Sequence, residues 1–435
     1  MKYSNLVLCV CLLFACSQLT EEKVMLSDQQ LLDTVQFQTI DYFWSNAEFN
    51  SGLARERTHL DELEVDQFVV TTGGSGFGIM ALIVGVERGF ISKEEACHRF
   101  EKIISFLETS DTFHGAFPHW LNGQTGKVKP FSPKDNGGDL VETAFLFQGL
   151  ITLRQYFIHE DYCEFLVDRI TDLWKQVEWD WYTKGENVLY WHWSPDYEWE
   201  MDFPVGGYNE ALIMYVLAAG STTHPIDPDV YHNGWARKGE IANDTLYLGY
   251  ETALDHYEHG DHPVGPLFWA HYSYLGLDPR KLSDQYADYW NLNVNHAKIH
   301  VAYSQNNPLG FKGYNETVWG LTSSYSINGY HGHRPGDDIG VISPTAALSS
   351  FPYTPEESMR LLSYLYNDAD SLIGQYGPYD AFSIQHRWYL PRYLAIDQGP
   401  IPIMIENHRS GLLWRLFMSA PEVQRGLSRL CFSVD

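Results

Sequence analysis

The sequence predicts an all-α fold: a single (α/α)6 barrel, or toroid, with an inner ring of helices covered by an outer one. Three observations carry that prediction. Segments with period-3.6 apolarity come in two kinds, amphipathic and apolar nearly all round, and the two kinds alternate along the chain. Links leaving the all-apolar segments are short, such as Phe90-Ile91 and Ser419-Ala420, whereas links entering them are long. In a closed ring of alternating helices all inner helices run the same way, so the long links must gather at one mouth. Loops of that length in a compact domain are usually functional.

Taken in order, amphipathic helices are predicted near 28–47, 92–109, 159–176, 283–300, 355–368 and 421–431, with a weaker candidate near 229–238. Four of them open on a capping-box pattern: Ser27 with Gln30, Ser92 with Glu95, Thr354 with Glu357, and Ser419 with Glu422. The all-apolar helices are predicted near 75–89, 139–153, 207–219, 264–275, 343–352 and 400–417. A helical solenoid is the competing layout, but it would show a shorter and stricter repeat. The loops entering the inner helices cover about 110–138, 177–206, 239–263, 301–342 and 369–399.

Charge and composition limit what the mouth can bind. The formal net charge is −27, from 56 acids against 29 bases, which argues against nucleic acid or an acidic polysaccharide and favours a neutral ligand. Aromatic residues make up 15% of the chain, with 14 Trp and 28 Tyr, and such rings suit the C–H faces and hydroxyl edges of sugars as well as ordinary cores. Lys2, the apolar run Leu6 to Phe14 and Ala15-Cys16 read as an export leader, residues 1–16. "LFAC" resembles a lipobox, which would place lipid on Cys16 as the mature N-terminus and attach the protein to a membrane. Residues 17–27 are then a short linker and 28–435 the barrel. The expected location is periplasmic, or on the outer membrane as a lipoprotein, and the expected state is a monomer. Cys97, Cys163 and Cys431 are too widely spaced for a disulfide framework or a zinc motif and read as buried thiols.

Acids cluster where inner helices begin. Asp135, Asp139 and Glu142 come from "KDNGGDLVETAF", Glu210 from "GGYNEAL", and Asp397 with Glu406 from "LAIDQGPIPIMIENHRSGLLW". Hydrolysis of a glycoside needs two carboxyl groups facing each other across the scissile bond. Each acid also has an ordinary structural explanation. Asp139 and Glu142 match a capping box, and Glu406 can pair with Arg409 one turn on. Asp397 is harder to explain as a cap, because Pro400 at a first helical position makes Gly399 the cap. Glycine pairs precede three inner helices, at 73–74, 137–138 and 206–207, where loops turn sharply into a crowded ring. The loop "DHYEHGDH" spaces His256, His259 and His262 three apart, but fits no standard zinc template and reads as a polar surface loop. The motifs HExxH, GxSxG and GxxxxGK[ST] are absent from the sequence.

"VVTTGGSGFGIMAL", "HGAFPHWLNGQTGKVKPFSPKDNGGDLVETAFLFQGL", "YNEALIMYVLAAGSTTHPI", "PLFWAHYSYLGLDPR" and "LAIDQGPIPIMIENHRSGLLW" together resemble the bacterial β-1,2-glucanase family with its glucoamylase-like domain. The resemblance runs from about Leu31 to the C-terminus. It implies an (α/α)6 barrel that hydrolyses β-1,2-glucan with inversion, with no metal and no cofactor. Mainly internal cleavage to sophorose and short oligosaccharides is implied, with exo release of sophorose as the alternative. By position, Glu210 matches the family's general acid. Asp397 stands first for the base, with Asp139 and Glu142 behind it, and Asp135 belongs to the acidic cluster. Asp135, Trp120, Trp193, Trp319, Tyr208 and Glu406 are the expected sugar-binding residues. A toroidal polysaccharide lyase would need basic residues for uronate carboxylates, against the acidic balance; a non-catalytic glycan-capture lipoprotein would bind without turnover.

Overall fold

The computed structural model describes residues 25–160, 162–256 and 263–434. The leader with Cys16, and His259 and His262, lie outside the described residues. Among the described residues six helices surround the ring. They are α1 (Asp28–Trp44), α3 (Lys93–Leu107), α5 (Phe165–Lys175), α8 (Tyr289–Asn306), α10 (Pro355–Asn367) and α14 (Pro421–Arg429). Inside it stand α2 (Thr72–Glu87), α4 (Leu140–Phe157), α6 (Leu212–Gly220), α9 (Pro344–Ser349), and the run α11 (Ala395–Gln398) with α12 (Pro400–Arg409). The short α7 (Pro228–Val230) continues as a π turn, Tyr231–Trp235, where the weaker helix was expected, and α13 (Leu412–Met418) leads into α14. Inner neighbours touch in the order α2, α4, α6, the segment 267–275, α9, α12 and again α2, which closes the toroid. Among the described residues the β-structure is confined to two- and three-stranded ribbons in the loops.

The inner helices have no wet face because none is needed. Every residue of α2 from Thr72 to Gly85 is buried, and so is every residue of α6. Alpha-2 and α4 cross almost backbone to backbone. A Cβ on Gly76 would stand 2.1 Å from the Phe145 carbonyl oxygen, and one on Gly149 2.2 Å from that of Gly76. Only glycine permits this approach. Outer helices bury one stripe, as α3 does with Ala96, Cys97, Phe100, Ile103, Ile104 and Leu107.

Several expectations need correction. The segment 264–275 is not one helix but two 3₁₀ turns, Leu267–Ala270 and Ser273–Leu275. Pro263 and Pro266 supply no N–H there, and Ser273 turns its hydroxyl to the start of α6, donating to the Glu210 carbonyl and accepting from Ile213 N. The predicted helix 400–417 breaks at Gly411, whose φ of 68° reverses the chain. The sixth inner helix begins at Ala395, and Gly399 continues it with helical φ/ψ, so Gly399 is no true cap. The boxes at Ser27 and Ser92 form. Those at Thr354 and Ser419 do not. Thr354 turns its hydroxyl back to the Ser350 carbonyl, and Glu422 instead binds the buried Arg154 at 2.5 Å. Cys97 and Cys163 are not separate thiols but a disulfide tying α3 to the start of α5, Cα to Cα 6.1 Å, and Cys431 is exposed. Spacing along the chain could not reveal that pairing.

Candidate active site

Two adjoining hollows open among the long loops, of about 400 and 330 Å³, and share Trp191, Glu210, Phe268 and Ser323. Glu142 lines the first of them with Glu56, Arg57, His119, Trp120 and Tyr272. The mouth expected at the inner N-termini therefore holds a continuous cleft, with Glu210 where its two halves meet.

Glu210 does not stand in the first turn of its helix. Alpha-6 begins at Leu212, because Gly207 (φ 85°) turns the chain and the Asn209 side chain accepts Ala211 N at 2.9 Å. The carboxylate is carried just ahead of the helix, 9% exposed. On α4 the predicted capping box is only half made. Asp139 Oδ1 accepts Glu142 N at 2.9 Å, but the Glu142 side chain turns into the barrel, where Oε2 accepts Gly73 N at 2.7 Å. That turn puts one carboxylate of the pair on the cleft wall and leaves the other beneath it.

Asp139 is fully buried and fully engaged. Its Oδ2 accepts the Trp191 indole N–H at 2.9 Å and faces His119 Nδ1 at 2.8 Å. The short ribbon pairing Gly138-Asp139 with His192-Trp193 holds this arrangement. Asp135 lies behind it, 3.0 Å from His192 Nε2. Burial opposes a charge on His119, but the carboxylates of Glu142, Asp139 and Asp135 outweigh it and raise the imidazole to about 10. Burial raises Glu142 to about 7, against the pull of His119 and the Gly73 hydrogen bond. His119, Asp135 and Asp139 offer atoms within 4.8 Å of one another, a spacing a metal could use. The Asp139 oxygens already accept protons from Glu142 N, Trp191 and His119, so the group reads as a hydrogen-bond network.

Behind Tyr272, which lines the cleft, Asp397 sits in the first turn of α11, 5% exposed, with Oδ1 accepting the Tyr272 hydroxyl at 3.2 Å. Its neighbour Asp380 accepts Tyr325 N at 2.8 Å. Burial raises Asp397 well above the usual carboxylate range, and the adjacent Asp380 adds to it; Asp380 itself is raised to about 7 by burial. Burial and the neighbouring acid together disfavour a charge on Asp397.

The expected sugar-binding residues divide. Trp120 stands on the cleft wall with the Arg57 guanidinium 5.8 Å from its ring. Trp193 packs edge-on against His114, outside the hollows. Trp319 is a fully buried core residue whose indole donates to the Glu357 carbonyl. Tyr208 is also core, donating to Asn293 at 3.1 Å and packed on His256. Glu406 is remote from the mouth. It binds Arg88 at the far end of α2 (2.7 Å), while Arg409 pairs with Asp33, so the predicted Glu406–Arg409 pair does not form. His256 is buried core rather than polar surface, and Gly265 N donates to it. Sequence reasoning missed Glu56, Arg57, His119, Tyr272 and Asp380. "FPHW" contained His119 beside a noted tryptophan, but no local pattern marked the others.

A helical toroid whose loops bring carboxyls and aromatic rings around one open cleft has the architecture of a glycoside hydrolase. The comparisons agree. The Glycoamylase family model, described as "Putative glucoamylase", matches residues 202–421. The solved endo-β-1,2-glucanase of Chitinophaga pinensis, in complex with sophorotriose and glucose, is 57% identical; the match covers 94% of this chain and 99% of that one at a TM-score of 0.92. A curated relative from Parabacteroides distasonis, an exo β-1,2-glucooligosaccharide sophorohydrolase (non-reducing end), is 46% identical over 93% of this chain, which spans only 58% of that protein's length. An endo-β-1,2-glucanase of Talaromyces funiculosus shares only the fold, at 13% identity and a TM-score of 0.64. The chain belongs to the glucoamylase-like family, whose (α/α)6 toroid it adopts.

Proposed function

We propose that the protein hydrolyses β-1,2-glucosidic bonds of β-1,2-glucan with inversion, cutting mainly within the chain. The observation that carries this reading is that Glu210 and Glu142 face one cavity, in a chain 57% identical along nearly its whole length to an endo-β-1,2-glucanase. In the mechanism Glu210 protonates the leaving oxygen while a second carboxylate takes a proton from the attacking water. In this reading Glu142 takes that second role ahead of Asp397; it borders the cavity, whereas both oxygens of Asp139 are engaged. A second reading rests on the Asp397–Asp380 pair, whose carboxyls burial holds above the usual carboxylate range and which adjoins the cavity through the Tyr272 hydroxyl. Arg57 and Trp120 lie beside the acids and suit sugar hydroxyls and a ring face.

The relatives differ in mode. The endo enzyme matches this chain over its full length and the exo one over 58% of its own, so internal cleavage is the primary reading and sophorose release from a chain end the alternative. The time course of products from long β-1,2-glucan tests it: a spread of intermediate lengths at early times is expected, and sophorose alone from the first minutes would make the enzyme exo-acting. Release of no reducing sugar would leave glycan capture. We further propose a single catalytic domain over 28–435 that acts as a monomer outside the cytoplasm, tethered by lipid on Cys16; the Cys97–Cys163 disulfide suits an oxidising compartment. A mature protein lacking diacylglyceryl mass on Cys16 would remove the tether.

A further inference from the structure

Outside the cleft, a hollow of about 500 Å³ opens beside the 3₁₀ turn Trp181–Thr183. Trp181 and Trp199 line it, their rings 6.4 Å apart and inclined by 33°. Trp181 remains 40% exposed although His114 stacks on it at 3.8 Å with planes 14° apart. One face is thus backed and the ring held in place, while the rest of it borders the hollow. Trp199 is braced by the edges of Tyr182 and Tyr190. The rim is polar and itself tied down. Glu178 holds His114 at 3.0 Å, and Asp180 holds His224 at 3.1 Å and also accepts Trp181 N.

An ordinary exposed tryptophan needs no explanation. Two preset rings above a rim of carboxylates, imidazole and hydroxyl are less ordinary, since this is the composition that meets a sugar's apolar face and its equatorial hydroxyls together. Lys184 also lines the hollow but is paired with Asp202 at 2.9 Å, so the rim acids, on a chain of net charge −27, disfavour an anionic ligand and favour a neutral one. The hollow is separate from the cleft, but aromatic rings stand between the two. Trp193 lies 6.3 Å from Trp181 and, two residues along, Trp191 forms the cleft wall. We infer that Trp181 and Trp199 form a second, non-catalytic binding site for a neutral glucan, holding a stretch of polysaccharide outside the catalytic cleft. The identity of that glucan as β-1,2-linked rests on the function proposed above.

The test uses the full-length protein. Trp181→Ala is compared with wild type on long β-1,2-glucan and on sophorotriose, with equal melting temperatures as the folding control. Glu210→Gln and Glu210→Gln/Trp181→Ala are run in gels containing the polymer. Loss of one ring platform is expected to raise KM for the polymer, and to weaken gel retardation, by about five- to tenfold. On the trisaccharide kcat/KM is expected to stay within about twofold, because the cleft is untouched. Equal retardation of the two gel variants, or parallel losses on both substrates, overturns the second site. Failure of the functional reading shows separately, as a wild type that releases no reducing sugar from β-1,2-glucan.

Discussion

Gly73 and Glu142 meet with no room for a side chain between them. The Gly73 N–H donates to Glu142 Oε2 at 2.7 Å, and a Cβ on Gly73 would stand 2.6 Å from the same oxygen. The intruding methyl would meet the far end of the flexible Glu142 side chain, which can swing aside, and would stand 3.0 Å from the Phe145 ring, which must give by a few tenths of an ångström at a cost to the fold. Alanine in place of a helical glycine also offsets part of that cost, by roughly 0.5–1 kcal/mol. Gly73→Ala is therefore expected to keep its melting temperature within a few degrees while kcat falls on the order of 10²-fold, as a catalytic group displaced by about 1 Å allows. Unchanged kcat would take Glu142 out of the reaction.

His119 carries the charge that keeps Glu142 from rising further. Its folded pKa, about 10, exceeds the unfolded value near 6.5, so the folded state holds a proton that the unfolded state releases. The stabilisation is complete below about pH 6.5 and is lost as pH rises through about 10. Glu142, raised to about 7, acts in the same sense between about pH 4.5 and 7. Melting temperature should thus decline from pH 7 to 9.5, and His119→Gln should flatten that decline. The variant should also move the acidic limb of the rate profile upward, since Glu142 loses its cationic neighbour. An unaltered limb would show that Glu142 does not set it.

How much of this was legible depended on how local the signal was. The inner helices were readable because being surrounded by protein removes the polar face from the sequence itself, as in α2 and α6. Glu142 and Glu210 stood out through the loops and glycines beside them. Their surroundings did not. Asp380 acts through Asp397 and Tyr325, and Glu56 through Arg57 and the cavity, contacts made only once the ring has closed. Trp319 and Tyr208 were misjudged for the same reason. A tryptophan or tyrosine in a long loop reads alike whether the loop covers the cleft or plugs the core. The segment 264–275 reads as a helix by its apolar periodicity, which outweighs the signal of Pro263 and Pro266.

The disulfide closes a loop with a sequence separation of 66. Chain entropy alone assigns a loop of that size on the order of 4 kcal/mol, and native bridges typically contribute about 2–4. Cys97→Ser/Cys163→Ser is expected to lower unfolding free energy by that amount in urea while leaving kcat unchanged, because neither cysteine touches the cleft. Reduction of the wild type should reproduce the loss, and equal midpoints with and without reductant would show that the bridge does not form.

The two readings of the base separate by chemical rescue. Glu142→Gln removes the carboxylate on the cavity wall, whereas Asp397→Asn leaves Asp380 in place. With an activated β-glucoside substrate, azide is expected to restore turnover to Glu142→Gln and to give an α-glycosyl azide. Rescue of Asp397→Asn instead would move the base to the Asp380–Asp397 pair.

Glu210 is the most exposed test of the whole proposal. Because α6 starts at Leu212, its carboxylate precedes the helix and owes little to a position within the first turn. What surrounds it is the cleft, with Trp191 and Phe268 in both hollows that it lines. A group holding only the loop would cost stability when altered and leave turnover intact. A proton donor would do the reverse. Glu210→Gln keeps the shape and a hydrogen-bonding head but has no proton to give, so the fold and glucan binding should persist while kcat falls by about 10²–10⁴-fold. The loss should be smallest on a substrate whose leaving group needs no protonation, such as a dinitrophenyl glycoside, and the first product of the wild type should be the α-anomer by NMR. Near-wild-type turnover in Glu210→Gln at matched melting temperature, or a β-anomer formed first, would end this assignment.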